Sequence, residues 1–213
     1  MKYLKTYKLF ESNSNEVILY YENDWNLVND STTKITIRYN CNKLHKLPYS
    51  LQELYCSNKK LTELPKLPNS LQRLSCYNNQ LKELPILPNS LQELSCSYNP
   101  LEKLPELPNL LQYLDCSNNQ LTELPDLPNS LQELYCDVNP LEKLPQGITE
   151  KLLKQNNEKW IKKNALKWII NKPSDYNLLK DYLSEEDKEK IEKEYPEIIS
   201  QDQFGMFRLK NDK

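Results

Sequence analysis

The sequence predicts an α/β solenoid, in which parallel strands stack along a concave face, an extended polyproline-like return forms the convex side, and a helical region follows. First, a 20-residue block recurs without insertion from residue 51 to residue 146. Second, apolar and polar residues alternate early in every block, as a strand with one buried face requires. Third, each complete block has two prolines at the same two positions of its second half, and proline fixes an extended backbone without donating a hydrogen bond.

The repeated block assigns residues to strand and core. In block 51–70, Leu54 and Cys56 face inward on either side of Tyr55, and later leucines of the block fill the rest of the core. Residues 34–50 form a shorter, divergent copy, so six repeat strands are expected. The copies are KITIRYNCNKLHKLPYS, LQELYCSNKKLTELPKLPNS, LQRLSCYNNQLKELPILPNS, LQELSCSYNPLEKLPELPNL, LQYLDCSNNQLTELPDLPNS and LQELYCDVNPLEKLPQ.

These blocks resemble the leucine-rich repeat, in the short bacterial subclass written LPxLPxxLxxLxxxxNxLxx. The resemblance implies a solenoid with a parallel sheet. It also accounts for an asparagine after each strand, whose short amide is expected to satisfy backbone groups at the turn. Lys59 takes this place in block 51–70, and we expect a weaker turn there because an ammonium group cannot accept a hydrogen bond. The asparagines are Asn79, Asn99, Asn119 and Asn139.

The resemblance also bears on enzymatic activity. Some bacterial effectors with this repeat carry a separate C-terminal ubiquitin-ligase domain, whose catalytic cysteine lies in a Cys-x-Asp context. No cysteine follows Cys136, which takes a core position, so the chain resembles the non-catalytic, scaffold-type members. Cys41 and His45 form the remaining thiol–imidazole pair in sequence, but no third group nearby would orient them. We therefore predict that no residue is catalytic and that the protein is not an enzyme.

Composition argues against a cofactor, a metal and a polyanionic partner. The chain has only two glycines and one histidine, which leaves no glycine-rich phosphate loop and no multi-histidine metal site. A formal net charge of -2 supplies no basic field for a nucleic acid or an anionic membrane. We predict no cofactor, no metal, no nucleic acid and no membrane partner.

Five of the six cysteines recur at one inward position, once per block. A buried thiol acts as a small apolar core residue, and this is the role expected for them. Two alternatives stay open: a column of thiolates could bind a soft metal, and adjacent repeats could form a disulfide under oxidising conditions. The residues are Cys56, Cys76, Cys96, Cys116 and Cys136.

The N-terminus does not have the pattern of a secretory signal peptide. Lys2, Lys5 and Lys8 interrupt the stretch where such a peptide needs a continuous apolar core. The apolar runs of the chain are also much shorter than a membrane-spanning helix requires. We expect a cytoplasmic protein, and export by a non-standard route stays open.

Residues between the inward positions of each strand are expected to face the concave side. Solenoids commonly bind partners on this extended face, tyrosine supplies contact area at low entropic cost, and acidic residues favour a basic partner. We expect a monomer that binds a protein or peptide, with a basic segment favoured. The predicted binding residues are Arg38, Glu53, Tyr55, Arg73, Tyr77, Glu93, Tyr113, Asp115, Glu133, Tyr135 and Asp137.

The repeats divide the chain into three regions. Residues 1–33 are predicted to be an N-terminal cap, residues 34–147 the solenoid, and residues 148–213 a helical C-terminal cap or appendage. Trp160, Ile161, Ala165, Trp168 and Ile169 recur at the spacing of one buried helix face. This list includes two tryptophans, large apolar residues suited to covering the last repeat.

The sequence thus predicts a non-enzymatic protein-interaction module. An alternative is a bacterial, phage or viral effector or regulator, in which the repeats target a host protein and the C-terminal helices carry the activity. A third interpretation is a structural spacer without a partner. Deletion of residues 148–213 would separate the first two. A truncated protein that folds and binds would show that the helices are not the active part, and one that aggregates would show that they are a cap.

Overall fold

The recurring blocks form a parallel sheet in which each turn of the chain adds one strand. The computed structural model describes residues 15–200, and in these residues the sheet has seven strands whose spatial order is their chain order. The predicted solenoid with a parallel sheet and C-terminal helices is confirmed. The strands are β1 (Glu16–Leu19), β2 (Lys34–Ile37), β3 (Glu53–Tyr55), β4 (Arg73–Ser75), β5 (Glu93–Ser95), β6 (Tyr113–Asp115) and β7 (Glu133–Tyr135).

The first strand lies in the segment predicted to be an N-terminal cap. β1 pairs with β2 in parallel register, so the sheet extends one strand beyond the six of the repeats. A 3-10 helix, Glu22–Leu27, follows β1, and the buried Trp25 donates a hydrogen bond from Nε1 to the Tyr39 hydroxyl at 2.7 Å. The predicted cap region therefore contributes both a strand and an aromatic residue to the start of the core.

The core is a stack of leucine and cysteine side chains. The central leucine of every repeat strand from β3 to β7 is at most 2% exposed. All six cysteines are free and buried, as expected of core residues. Burial raises the pKa of the thiol at the five column positions, which keeps it protonated and unreactive. Among residues 15–200, no group of three or more His, Cys, Asp or Glu side chains has the arrangement of a metal site.

A row of asparagine amides joins the turns of neighbouring repeats. Asn99 donates from Nδ2 to the carbonyl oxygens of Cys96 and Cys76, both at 3.1 Å, and its Oδ1 accepts from the Leu81 amide at 3.0 Å. Each amide thus satisfies backbone groups of its own repeat and of the preceding one. The predicted capping role is confirmed, and the weaker turn expected at Lys59 stays a prediction. The same contacts recur at Asn79, Asn119 and Asn139.

The residue before each asparagine position lies in the left-handed region, with φ between 52° and 57°. Asparagine tolerates this conformation better than other residues with a Cβ atom, and a β-branched residue tolerates it poorly. Two repeats nevertheless place a large side chain there. The five residues are Asn58, Asn78, Tyr98, Asn118 and Val138.

The Val138→Asn variant should be more stable than the wild type. Val138 has φ 56° and is 53% exposed, so asparagine relieves backbone strain without removing core contacts. We expect a gain of about 1 kcal/mol in the free energy of unfolding. Urea denaturation measures this gain, and the reciprocal Asn118→Val variant should lose a similar amount. A neutral result for both variants would contradict the strain assigned to this turn.

The region after the repeats is helical. Its helices are α1 (Glu150–Leu153), α2 (Glu158–Asn171), α3 (Tyr176–Leu179), α4 (Glu185–Glu194) and α5 (Pro196–Ser200), with 3-10 turns at Pro173–Asp175 and Lys180–Tyr182. No helix in the described part of the chain is long and apolar enough to cross a bilayer.

The apolar face predicted for α2 is buried against the last repeat. Trp168 donates from Nε1 to the Leu141 carbonyl oxygen at 2.9 Å, and Trp160 donates from Nε1 to the Asn139 carbonyl oxygen at 3.2 Å. The two indole rings pack edge to face, with centroids 5.0 Å apart. The assignment of residues 148–213 as cap or appendage stays a prediction, and residues 201–213 lie outside the described part.

Side-chain amides also cover the edge of β7. Gln155 accepts from the Leu134 amide at 2.7 Å and donates to the Gln132 carbonyl oxygen at 3.1 Å. Asn156 accepts from the Cys136 amide at 2.6 Å and donates to the Leu134 carbonyl oxygen at 3.0 Å. These two residues therefore take the place of a further strand, and backbone groups that would attract another chain are already paired.

Candidate partner-binding surface

The predicted binding residues lie on the solvent side of the sheet, called the concave face below. Each strand contributes two side chains to this face, one on either side of its central apolar residue, so that two rows run across the sheet. After β3 to β7, a third row follows the buried cysteine. The first row is Glu16, Lys34, Glu53, Arg73, Glu93, Tyr113 and Glu133. The second row is Ile18, Thr36, Tyr55, Ser75, Ser95, Asp115 and Tyr135.

The first row begins with alternating charges that pair across the strands. Lys34 Nζ lies 3.2 Å from Glu16 Oε1 and 3.9 Å from Glu53 Oε2. Arg73 bridges the next two carboxylates, with Nη1 2.9 Å from Glu53 Oε1 and Nε 3.0 Å from Glu93 Oε1. We call these five residues the charge ladder. Three of the predicted binding residues therefore already have an internal partner of opposite charge, an arrangement that requires the cross-strand register.

The charge ladder ends where Tyr113 takes the position at which a further cation would follow Glu93. No lysine or arginine of residues 15–200 forms an ion pair with Asp115, Glu133 or Asp137. Burial, followed by the negative charge of Asp115, raises the pKa of the Asp137 carboxyl. The face over β6 and β7 thus carries negative charge that no Lys or Arg in the described part of the chain neutralises through an ion pair.

The tyrosines of the strands also fall into two groups, one in contact with the charge ladder and one over β6 and β7. Tyr55 donates from its hydroxyl to Glu53 Oε2 at 3.0 Å, and Lys34 Nζ lies 5.6 Å from the centre of its ring, so its polar and aromatic groups contact the charge ladder. Tyr113 and Tyr135 instead contact each other, with ring centroids 5.9 Å apart. Burial and nearby carboxylates, Asp115 first among them, raise the pKa of Tyr113 to about 12.

Asp115 is held in place by neutral donors. The Ser97 hydroxyl donates to Oδ2 at 2.7 Å, and the Ser117 hydroxyl and amide donate to Oδ1 at 2.7 Å and 3.2 Å. Both serines are buried, so the carboxylate is oriented while its charge remains. Beside it lies an open depression of about 400 Å³, lined by Tyr77, Asn78, Ser95, Ser97, Tyr98 and Asp115.

Tyr98 also belongs to this surface, although the alternation of strand residues does not predict it. It follows the third row, at the turn position where three repeats have asparagine, and its side chain is 59% exposed. The substitution of an aromatic residue for asparagine in one repeat was the available signal. The alternation pattern applies to strand residues and ends before the turn, so it does not place position 98 on the face.

Two other features of the sequence lie away from this region: the predicted binding residue Arg38, and the pair of Cys41 and His45. Arg38 is exposed and directly follows β2, four strands away from β6, which carries Asp115. His45 stacks on Trp25 with ring centroids 5.0 Å apart, and its Nε2 lies 2.8 Å from Glu22 Oε1. Burial raises the pKa of the Cys41 thiol, so this cysteine lacks the low pKa that a nucleophile needs.

Comparison with known proteins identifies the repeats. Residues 69–109 and 89–152 match the family model described as "Leucine Rich repeats (2 copies)". No curated protein sequence matches the chain significantly.

Solved structures agree with the family match. YopM from Yersinia enterocolitica WA-314 is 40% identical over 59% of this chain, with a TM-score of 0.56, and the aligned region is 28% of that structure. The LRR domain of a Shigella effector is 36% identical over 62% of this chain, with a TM-score of 0.52, and the aligned region is 53% of that structure. The chain therefore spans about half or less of either relative. Residues 69–152 thus match leucine-rich repeats, and the solenoid of this chain is similar to those of these bacterial proteins.

Proposed function

We propose that the protein acts by binding and not by catalysis, and that it binds a basic segment of a partner protein over β6 and β7. The binding surface comprises Tyr113, Asp115, Glu133, Tyr135 and Asp137, called the acidic half below. The observation that carries this proposal is the end of the charge ladder at Glu93, after which the carboxylates have no Lys or Arg partner among residues 15–200.

Charge and shape both support a basic occupant. Surface carboxylates that form no internal ion pair attract and hold cations of a partner, because no cation of the protein neutralises their charge. The Tyr113–Tyr135 pair adds rigid aromatic area next to them, the kind of residue that supplies much of the energy in protein interfaces. The rest of the face, over β1 to β5, is largely neutralised by the charge ladder.

The alternative, in which the C-terminal helices carry the activity, has less support. The buried face of α2 contacts the last repeat through Trp160 and Trp168. Of the exposed lysines, Lys162 pairs with Glu158 and Lys167 donates to the Leu141 carbonyl oxygen at 2.8 Å. The contacts of these helices are therefore directed mainly at the protein itself.

The test is a crosslinking pull-down with wild type and with the Tyr113→Ser/Tyr135→Ser double variant. Removing two central aromatic residues should weaken partner binding by roughly 30-fold or more. Tyr49→Ser is the matched control, because Tyr49 is exposed and lies outside the concave-face rows. Circular dichroism must show that both variants remain folded.

The same complex should be sensitive to salt. Attraction between exposed charges is screened over about 10 Å at 0.1 M ionic strength, so affinity should fall as salt increases. An affinity that is flat between low and high salt would contradict a basic occupant. A partner retained by the double variant would move binding to another surface, and the absence of any partner would favour a structural spacer.

A further inference from the structure

The open depression beside Asp115 has the composition of a site for one cationic side chain. Two tyrosines line it, Tyr77, which is 39% exposed, and Tyr98, which is 59% exposed. Of the six residues that line it, Asp115 alone carries a charge at neutral pH. Aromatic faces attract cations through their quadrupole, and a carboxylate adds direct electrostatic attraction and hydrogen-bond acceptance.

The carboxylate of Asp115 is prepared for such a ligand. Three donors from Ser97 and Ser117 fix its orientation, and all three are neutral. A carboxylate has about four acceptor positions, so capacity for a further donor remains. Because no cation of residues 15–200 pairs with it, a bound cation would not have to displace an internal one.

Tyr98 provides an independent observation, because the backbone conformation at this position is unfavourable for tyrosine. Its φ of 53° is left-handed, and the equivalent residues Asn58, Asn78 and Asn118 are of the type suited to that conformation. A tyrosine at this turn strains the backbone and leaves an exposed ring at the rim of the depression. More than half of Tyr98 is exposed, so the fold buries little of its surface, whereas a ligand in the depression would contact it.

We propose that this depression, the Tyr77–Tyr98–Asp115 subsite, binds one arginine side chain of the partner. The proposal rests on the function proposed above and names a contact at the edge of the acidic half, with which the subsite shares Asp115. A planar guanidinium can stack on a tyrosine ring while its N–H groups donate to a carboxylate, which an ammonium group cannot do with the same geometry. The subsite therefore selects arginine within a basic segment.

The test is an NMR titration of the ¹⁵N-labelled full chain with N-acetylarginine amide. The uncharged, nearly isosteric N-acetylcitrulline amide is the control ligand. With the arginine probe, we expect chemical-shift changes centred on the backbone amides of Ser97, Tyr98 and Asp115. The apparent affinity for the citrulline control should be at least about 10-fold lower.

Variants separate the ligand contacts from the fold. Asp115→Asn should weaken the arginine response by about 10-fold or more, whereas Asp126→Asn, the same charge change at an exposed residue on the convex side, should leave it unchanged. Tyr98→Asn should also weaken the response, by about 3-fold or more, while raising the melting temperature by about 2–4 °C because the strain is removed.

Three results would overturn the subsite: equal responses to arginine and citrulline, shifts centred elsewhere, or an unchanged response in Asp115→Asn. Each leaves the proposed function open to its own test. If the arginine probe fails while Tyr113→Ser/Tyr135→Ser still loses the partner, the concave-face interaction stands and only the subsite is wrong. If the probe binds as expected but the double variant retains the partner, the subsite stands and Tyr113 and Tyr135 are not part of the binding surface.

Discussion

We expect the Asn119→Leu variant to lose about 3–5 kcal/mol of unfolding free energy, because several buried backbone groups lose their partner at once. Asn119 donates from Nδ2 to the carbonyl oxygens of Cys96, Cys116 and Ser117 at 3.0–3.2 Å, and its Oδ1 accepts from the Leu101 amide at 3.1 Å. Its repeat lies between others, so the loss loosens contacts on both sides. Equilibrium urea denaturation, followed by circular dichroism, measures the change.

Two further variants test the cause of that loss. Asn119→Asp keeps the shape of the side chain but removes the donors and buries a charge, so it should be at least as destabilising as leucine. Gln120→Ala changes an exposed amide next to it and should stay within about 0.5 kcal/mol of wild type. A loss below about 1 kcal/mol for both Asn119 variants would show that the asparagine row is not what holds the turns together.

The Asn156→Leu variant should be destabilised to a similar extent, by about 3–5 kcal/mol, and should also self-associate. Asn156 is buried and pairs with the Cys136 amide and with the carbonyl oxygens of Leu134 and Leu152. Leucine has nearly the same volume but pairs with none of these groups. The edge of β7 would then present unpaired backbone groups to a second chain.

Urea denaturation and analytical ultracentrifugation together measure these two consequences. Lys151→Leu is the control, because it introduces the same side chain at an exposed position on α1. It should remain monomeric and close to wild type in stability. An Asn156→Leu variant that is monomeric and as stable as this control would show that the helical packing of α2, and not the amide pair, protects the end of the sheet.

Much of the fold follows from local pattern. The alternation around Leu54 assigns inward and outward positions, and this assignment holds from β3 to β7 because those strands recur every 20 residues. The apolar spacing of α2 likewise identifies its buried face correctly, including Ala165 and Trp168. In both cases a single element determines which side is buried, so no knowledge of distant residues is needed.

The properties of the candidate surface can be predicted less completely from local sequence pattern. Glu53 and Glu93 have the same sequence context as Glu133, yet the first two pair with Arg73 and the third does not. Lys34 joins the same row from a divergent copy whose spacing to β3 differs from the regular period by one residue. Ion pairing between strands depends on register, which a list of outward-facing residues does not contain.

By itself, the sequence determined the solenoid, its inward residues, the asparagine row and the face on which the predicted binding residues lie. These depend on a periodicity that repeats the same physical environment every 20 residues. Only the tertiary structure decided which charges are neutralised, where the depression beside Asp115 lies, and how Gln155 and Asn156 cover β7. These features arise where residues from different turns meet, so their energies depend on distances and partners that no single repeat specifies.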